Sequence, residues 1–163
     1  MFCFNNKKLL TKAKYDYCTF VNCSFATADF SEIVFIECTF ENCDLSNANL
    51  DLAAFRTVIF KECKLMGLRF DTCQPMFLAV EFLDCIMDYV SFYKLKLPNT
   101  TFKNCQLHEA DFAEANFLNA IFDNSLPGLS INDINEDIEL HIYPNPSQGI
   151  VNIETNKASD YLV

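Results

Sequence analysis

Phenylalanine or leucine returns every fifth residue along most of this chain. The series runs Phe20, Phe25, Phe30, Phe35, Phe40, Leu45, Leu50, Phe55, Phe60, Leu65 and Phe70. Two residues before each of these centres sits a smaller side chain: Cys18, Cys23, Ala28, Ile33, Cys38, Cys43, Ala48, Ala53, Val58, Cys63 and Leu68. The pattern slips by two residues between positions 73 and 77, then resumes at Phe82, Met87, Phe92, Leu97, Phe102, Leu107, Phe112, Phe117 and Phe122. Fourteen of the 17 phenylalanines are centres, so the period is a property of the whole segment.

A period of five excludes the common elements. Five residues of an α-helix advance about 500°, which scatters successive centres by roughly 140° around the axis. On a flat strand an odd step changes face each time. A chain that bends every five residues satisfies the pattern, with the centre and the small residue inside and the other three outside. Four bends close a square coil of about twenty residues. Stacking such coils aligns Phe20, Phe40, Phe60, Phe82, Phe102 and Phe122 in one column. It aligns Cys23, Cys43, Cys63, Cys85, Cys105 and Ser125 in another, and Asn22, Asn42, Glu62, Asp84, Asn104 and Asn124 on the outside. Like side chains stacked at strand spacing are expected of a solenoid. Five to six coils at about 4.8 Å each predict a rod of roughly 25 Å.

The stretches CTFVNCSFATADF, CTFENCDLSNANL and NCQLHEADFAEANF carry a family resemblance. They resemble the pentapeptide-repeat family, whose pattern is A-(D/N)-L-x-x, over residues 16–126. The resemblance implies an all-β fold, a right-handed quadrilateral β-solenoid. Residues 1–15 then read as an N-terminal cap or partial coil, with Ala13 and Tyr15 still in phase, and the solenoid runs from about 11 to 126. Pro127 falls at the next centre position, and the pattern stops there.

Residues 127–139 read as an acidic linker, and LHIYPNPSQGIVNIE in 140–163 reads as strand, Pro-Asn-Pro turn, strand. This tail resembles the opening of the C-terminal sorting domain of type IX secretion, found in Bacteroidetes. That domain is a β-sandwich, of which two strands are present here. Met1 to Lys14 shows no long apolar region and no small-residue cleavage site, so no signal peptide is expected. The tail is therefore expected not to be a working export signal, and the localisation expected is cytoplasmic, with secretion or cell-surface display as the alternative. No apolar run approaches the roughly 20 residues of a spanning helix.

The net charge is −10, with 22 acids against 12 lysines and arginines. Such a surface disfavours direct nucleic-acid binding, which needs cations on the phosphates, and leaves a protein partner or simple solubility. One face collects Asp29, Glu32, Asp51, Asp71, Asp111 and Glu114, the candidate partner-binding residues. The quinolone-resistance (Qnr) and MfpA types of the family are acidic rods that imitate duplex DNA and bind DNA gyrase or topoisomerase IV. This sequence is similar to the Qnr type in KECKLMGLRFDTC and SFYKLKLPNTTFKNC. The resemblance implies a gyrase or topoisomerase IV partner. The alternative is a structural module without that activity, its acidic face only keeping the rod soluble.

Catalytic chemistry is not expected. His108 and His141 are far apart and the nine cysteines show no CxxC spacing. Eight cysteines, all but Cys3, occupy the small inward position and read as buried small hydrophobes; metal or redox use is the alternative. No cofactor is expected. An uncovered last coil would present a sheet edge, so end-to-end association is an expectation, as is a homodimer.

Overall fold

The computed structural model describes residues 10–116, 118–125, 140–144 and 150–155. Phe117, residues 1–9 of the expected cap and the linker 127–139 lie outside the described residues.

The five-residue bend produces a β-solenoid with four walls, numbered here from the Phe20 column. The first wall holds β2 (Thr19–Val21), β4 (Thr39–Glu41), β6 (Val58–Lys61), β7 (Val80–Leu83), β8 (Thr101–Lys103) and β9 (Ile121–Asp123), all parallel. Phe20 faces Phe40, Phe40 faces Phe60, Phe60 faces Phe82, Phe82 faces Phe102 and Phe102 faces Phe122. The step is twenty residues except from Phe60 to Phe82, where the two-residue slip is absorbed elsewhere in the coil. The second and third walls carry mostly single bridges, such as Ser24 to Asp44 and Asp29 to Asn49. The fourth wall holds β1 (Lys14–Asp16), β3 (Val34–Ile36) and β5 (Ala54–Arg56). Its ladder stops at the slip, where two 3-10 turns, Phe70–Thr72 and Pro75–Phe77, replace corner and strand. The fourth wall thus takes up the extra residues, and Gln74 and Ala79 still bond back to Ala53 and Phe55.

The core is the set of centres and small residues that the spacing identifies. Phe20, Phe40, Phe60, Phe82 and Phe102 are fully buried, and Phe122 nearly so. Their rings stack nearly parallel at 4.6, 5.1, 5.5, 5.2 and 4.7 Å. The widest step is the one across the 22-residue coil. Neighbouring walls meet edge to face, as Phe92 does with Phe102 at 84°. Both geometries suit the ring quadrupole.

Away from the slip, each corner depends on one left-handed residue. Among the described residues nineteen non-glycine residues have positive φ, and each lies two after a centre, from Tyr17 to Asn124. Gly67 takes the same place with φ +67. A turn with φ > 0 at its third position closes with a bond from the fourth residue to the first. Ala28 N–H donates to the Phe25 carbonyl in this way at 2.9 Å, and Ala53 N–H to that of Leu50. The Asp or Asn just before a centre steadies the bend. Asp29, Asp44, Asn49, Asp111 and Asn116 each accept a bond from the backbone two residues on. This Asx-type bond gives the D/N of the repeat a physical role.

On the first wall the last coil has a partner. β10 (Leu140–Pro144) and β11 (Ile150–Thr155) form an antiparallel hairpin, and β11 pairs antiparallel with β9 through Ile150–Asp123 and Val151–Phe122. The tail supplies backbone partners to the edge that the stopping period leaves bare.

Candidate functional site

The interior of the rod is filled, so its chemistry lies on the four outer walls and at the corner above the cysteine column. The six predicted acids all fall on the third wall and its following corner. Asp29 and Asp111 share one column; Asp51 and Asp71 share the next; Glu32 and Glu114 lie in the column after that. The structure therefore brings the predicted face together. It also brings in three cations. Lys12 Nζ lies 2.9 Å from Glu32 Oε1, Arg69 Nη2 lies 2.6 Å from Asp71 Oδ2, and Lys94 Nζ lies 3.5 Å from Glu114 Oε1. The twenty-residue count places Lys12 and Lys94 in the Glu32 column and Arg69 in the Asp29 column, so these partners were legible in the spacing. Their basicity rises accordingly: the hydrogen bonds that Lys12 and Arg69 donate to Glu32 and Asp71 push both up. Lys94 sits 4.7 Å above the Tyr93 ring, and Tyr93 Oη donates to Glu114 Oε1 at 3.0 Å.

The remaining acids divide by role. Asp29 Oδ1 accepts bonds from the Ser31 backbone at 3.0 Å and from Asn49 Nδ2 at 3.1 Å. Ser31, above all, holds this carboxyl below its usual range. Asp111 accepts from the Ala113 backbone at 2.9 Å. Among the described residues, Asp51 alone of the six has neither an ion pair nor a hydrogen bond to its carboxylate.

Counting every described wall shows where the charge lies. The third wall holds six acids and three cations, a net of −3. The first wall has Glu41, Glu62, Glu81, Asp84 and Asp123 against Lys61 and Lys103, again −3. The second has Asp44, Asp88 and Glu109 against Lys64, giving −2 with His108 neutral. The fourth has Asp16 and Glu37 against Lys14, Arg56 and Lys96, giving +1. The negative charge wraps three walls, and the fourth stands apart. His108 points outward beside Asp88, with Nδ1 3.0 Å from Oδ1.

The cysteine column does more than fill space. Cys43 Sγ donates to the Phe20 and Glu41 carbonyls at 3.4 and 3.3 Å, and Cys63 Sγ to those of Phe40 and Lys61 at 3.4 and 3.2 Å. Cys85 and Cys105 repeat the arrangement on Phe60 and Phe82. Cys23 N–H donates to Cys43 Sγ at 3.4 Å. At the top of the column Ser125 takes the same place, its Oγ accepting from Cys105 N–H at 2.7 Å. At these corners a sulfur or hydroxyl holds the backbone groups that a closed turn would otherwise pair. The thiols lie in the buried core and are hydrogen-bonding groups as well. Burial pushes the Cys38 and Cys73 thiols above their ordinary range. Cys43 is pushed up by its neighbour Cys63 and by burial. Outside this column a shallow groove of about 260 Å³ is lined by Asn22, Cys23, Asn42, Cys43, Asp44 and Glu62, with Ser24 and Lys64. Among the described residues no three His, Cys, Asp or Glu side chains converge as a metal site.

Two family models match the chain. One, described as a pentapeptide repeat region, matches residues 10–76, and the other, pentapeptide repeats in eight copies, matches residues 91–126. A comparison with curated proteins finds no match. Among solved structures, the chain is similar to trypsin-treated QnrB1, a plasmid-mediated fluoroquinolone resistance protein. That match has 21% identity over 82% of this chain and 84% of the other, with a TM-score of 0.44. Full-length QnrB1 gives 20% identity, 82% and 87% coverage and 0.42. HetL, a pentapeptide repeat protein involved in heterocyst differentiation regulation from the cyanobacterium Nostoc sp. strain PCC 7120, gives 15% identity. Its coverage is 75% and 55%, and its TM-score 0.30. The two family models lie on the square coils with inward phenylalanines and left-handed corners, and the chain belongs to the pentapeptide-repeat family.

Proposed function

We propose that this chain is a non-catalytic protein-binding rod, and that its partner is a type II topoisomerase, DNA gyrase or topoisomerase IV, engaged through the acidic third wall. The observation that carries the reading is the distribution of charge. Net negative charge covers three walls of a rod whose interior is filled by side chains, so its surface is what it offers a partner. A protein surface that takes DNA carries complementary cations, and such surfaces attract an acidic rod at long range. The similarity of residues 61–126 to the Qnr type supports the same partner.

The test is gyrase supercoiling with the full chain titrated in, with and without a fluoroquinolone. The expected result is protection or inhibition that weakens as salt rises. The combined charge reversal Asp29→Lys, Asp51→Lys, Asp111→Lys is expected to abolish it. No effect at protein concentrations far above the enzyme overturns the partner.

A second reading, a structural module without topoisomerase activity, is favoured by the ion pairs. Lys12, Arg69 and Lys94 already neutralise three of the six acids. Supercoiling unchanged by the full chain would favour it. Cytoplasmic residence belongs to the first reading, and intact protein recovered outside the cell would overturn it in favour of export through the tail.

A further inference from the structure

We propose that the cysteine column is a binding site for monovalent thiophilic d10 cations, Cu(I) or Ag(I), held in two-coordinate linear fashion between successive coils. Cys23, Cys43, Cys63, Cys85 and Cys105 repeat once per coil in one inward column, and all five are buried. Neighbouring coils stand about 4.7–4.9 Å apart. A metal–thiolate bond is about 2.3 Å, so a straight S–M–S unit spans about 4.6 Å, close to one coil step. The spacing that makes the solenoid therefore also suits one ion between each pair of sulfurs.

The donor set selects the metal. Thiolates favour soft cations such as Cu(I). Zinc needs four ligands in a tetrahedron, and among the described residues no group of three ligating side chains converges. An in-line column serves an ion that needs two ligands. An approach exists as well. The groove of about 260 Å³ runs along the corner outside Cys23 and Cys43, and its lining carries two carboxylates, Asp44 and Glu62, against the one ammonium of Lys64.

The chemistry balances. Five thiols hold four monovalent ions in the four gaps. Four thiols each release a proton to solvent, one stays protonated, and the loaded column is neutral, as a buried site requires. Cys18 and Cys38 lie one coil apart in a second column and take one further ion. Cys73 has no cysteine one coil above or below it.

The test uses the full chain with Cys3 replaced by serine, titrated with silver nitrate in chloride-free buffer. Native mass spectrometry counts ions, and thermal melting shows which state binds. The expected uptake is five ions, with a rise in melting temperature because the folded rod is the binder. Cys63→Ser empties two gaps and lowers uptake to three. Cys73→Ser leaves it at five. Cys105→Ser lowers it to four, and Ser125 in the same column shows that a hydroxyl fits there, so this variant keeps the test open should Cys63→Ser fail to fold. Uptake that falls by one for every cysteine removed, Cys73 included, overturns the proposal. A melting temperature lowered by silver overturns it too, since the ion would then be captured by the unfolded chain.

Discussion

Threonine is a poor choice for left-handed backbone, because its branched Cβ crowds the following carbonyl. Yet Thr57 is held at φ 57 on an exposed corner, where Asn22, Asn42 and Asn104 show what the position prefers. Thr57→Asn is expected to stabilise the fold by about 1 kcal/mol, read as a shift in the urea midpoint. Gly67→Ala should do the opposite, since the added methyl meets the Asn47 side chain as well as the strained φ. The thiols make a second residue-scale prediction. Cys63→Ala removes the thiol that donates to the buried Phe40 carbonyl and opens a small cavity, and is expected to cost about 1–3 kcal/mol. Cys63→Ser should cost less, because a hydroxyl already serves at Ser125. The buried thiols also set a pH dependence. Cys38 and Cys73 have folded pKa values raised by burial, so the folded state holds protons that the unfolded chain releases. Stability is then full below about pH 8.5, the unfolded thiol value, and falls as pH rises above it. Denaturation midpoints at pH 7.5, 9 and 10 check the sign; a flat profile would contradict it.

At the scale of the wall, the phenylalanine column is the strongest single device. Phe82 stacks on Phe60 and Phe102 and meets Phe70 and Phe92 edge to face. Phe82→Ala is expected to cost about 3–5 kcal/mol, measured by thermal or urea denaturation. The spacing made this column legible, including its continuation past the slip, because Phe82 resumes a period that Phe60 had set. The place of the extra residues was legible too, between Cys73 and Phe77. That they fold as a 3-10 turn, Pro75–Phe77, with another at Phe70–Thr72 before them, was not, since Pro75 and its neighbours obey no period. The third wall was half legible. Its acids were found by column, while Lys12, Arg69 and Lys94 occupy the same columns and were not sought. The thiol bonds were hidden for a different reason. Whether a corner closes by its own turn, as at Ala28, or leaves groups for Cys43 to hold, depends on the wall before it, and the five-residue pattern reads alike in both.

For the molecule as a whole, the tail changes how the rod ends. β11 lies antiparallel on β9, so a sheet of parallel strands finishes in a hairpin of opposite sense. The period could not foretell this, because the acidic stretch after Ser125 carries no repeat to follow. A chain ending at Ser125 bares the β9 edge, and is expected to self-associate where the full chain does not, as measured by light scattering across a concentration series.

The ladder between coils has a mechanical consequence. Its hydrogen bonds, such as Thr39 N to Cys18 O and Asp44 N to Cys23 O, point along the rod rather than across it. A load applied to the two ends pulls in line with these bonds and meets them a few at a time, as in opening a zip. Each released coil of twenty residues spans about 66–72 Å at full extension, in place of one coil step of about 4.8 Å. Stretched in an optical trap, the rod should therefore give way in low, even steps, with the 22-residue coil betraying itself as the one longer tooth in the trace.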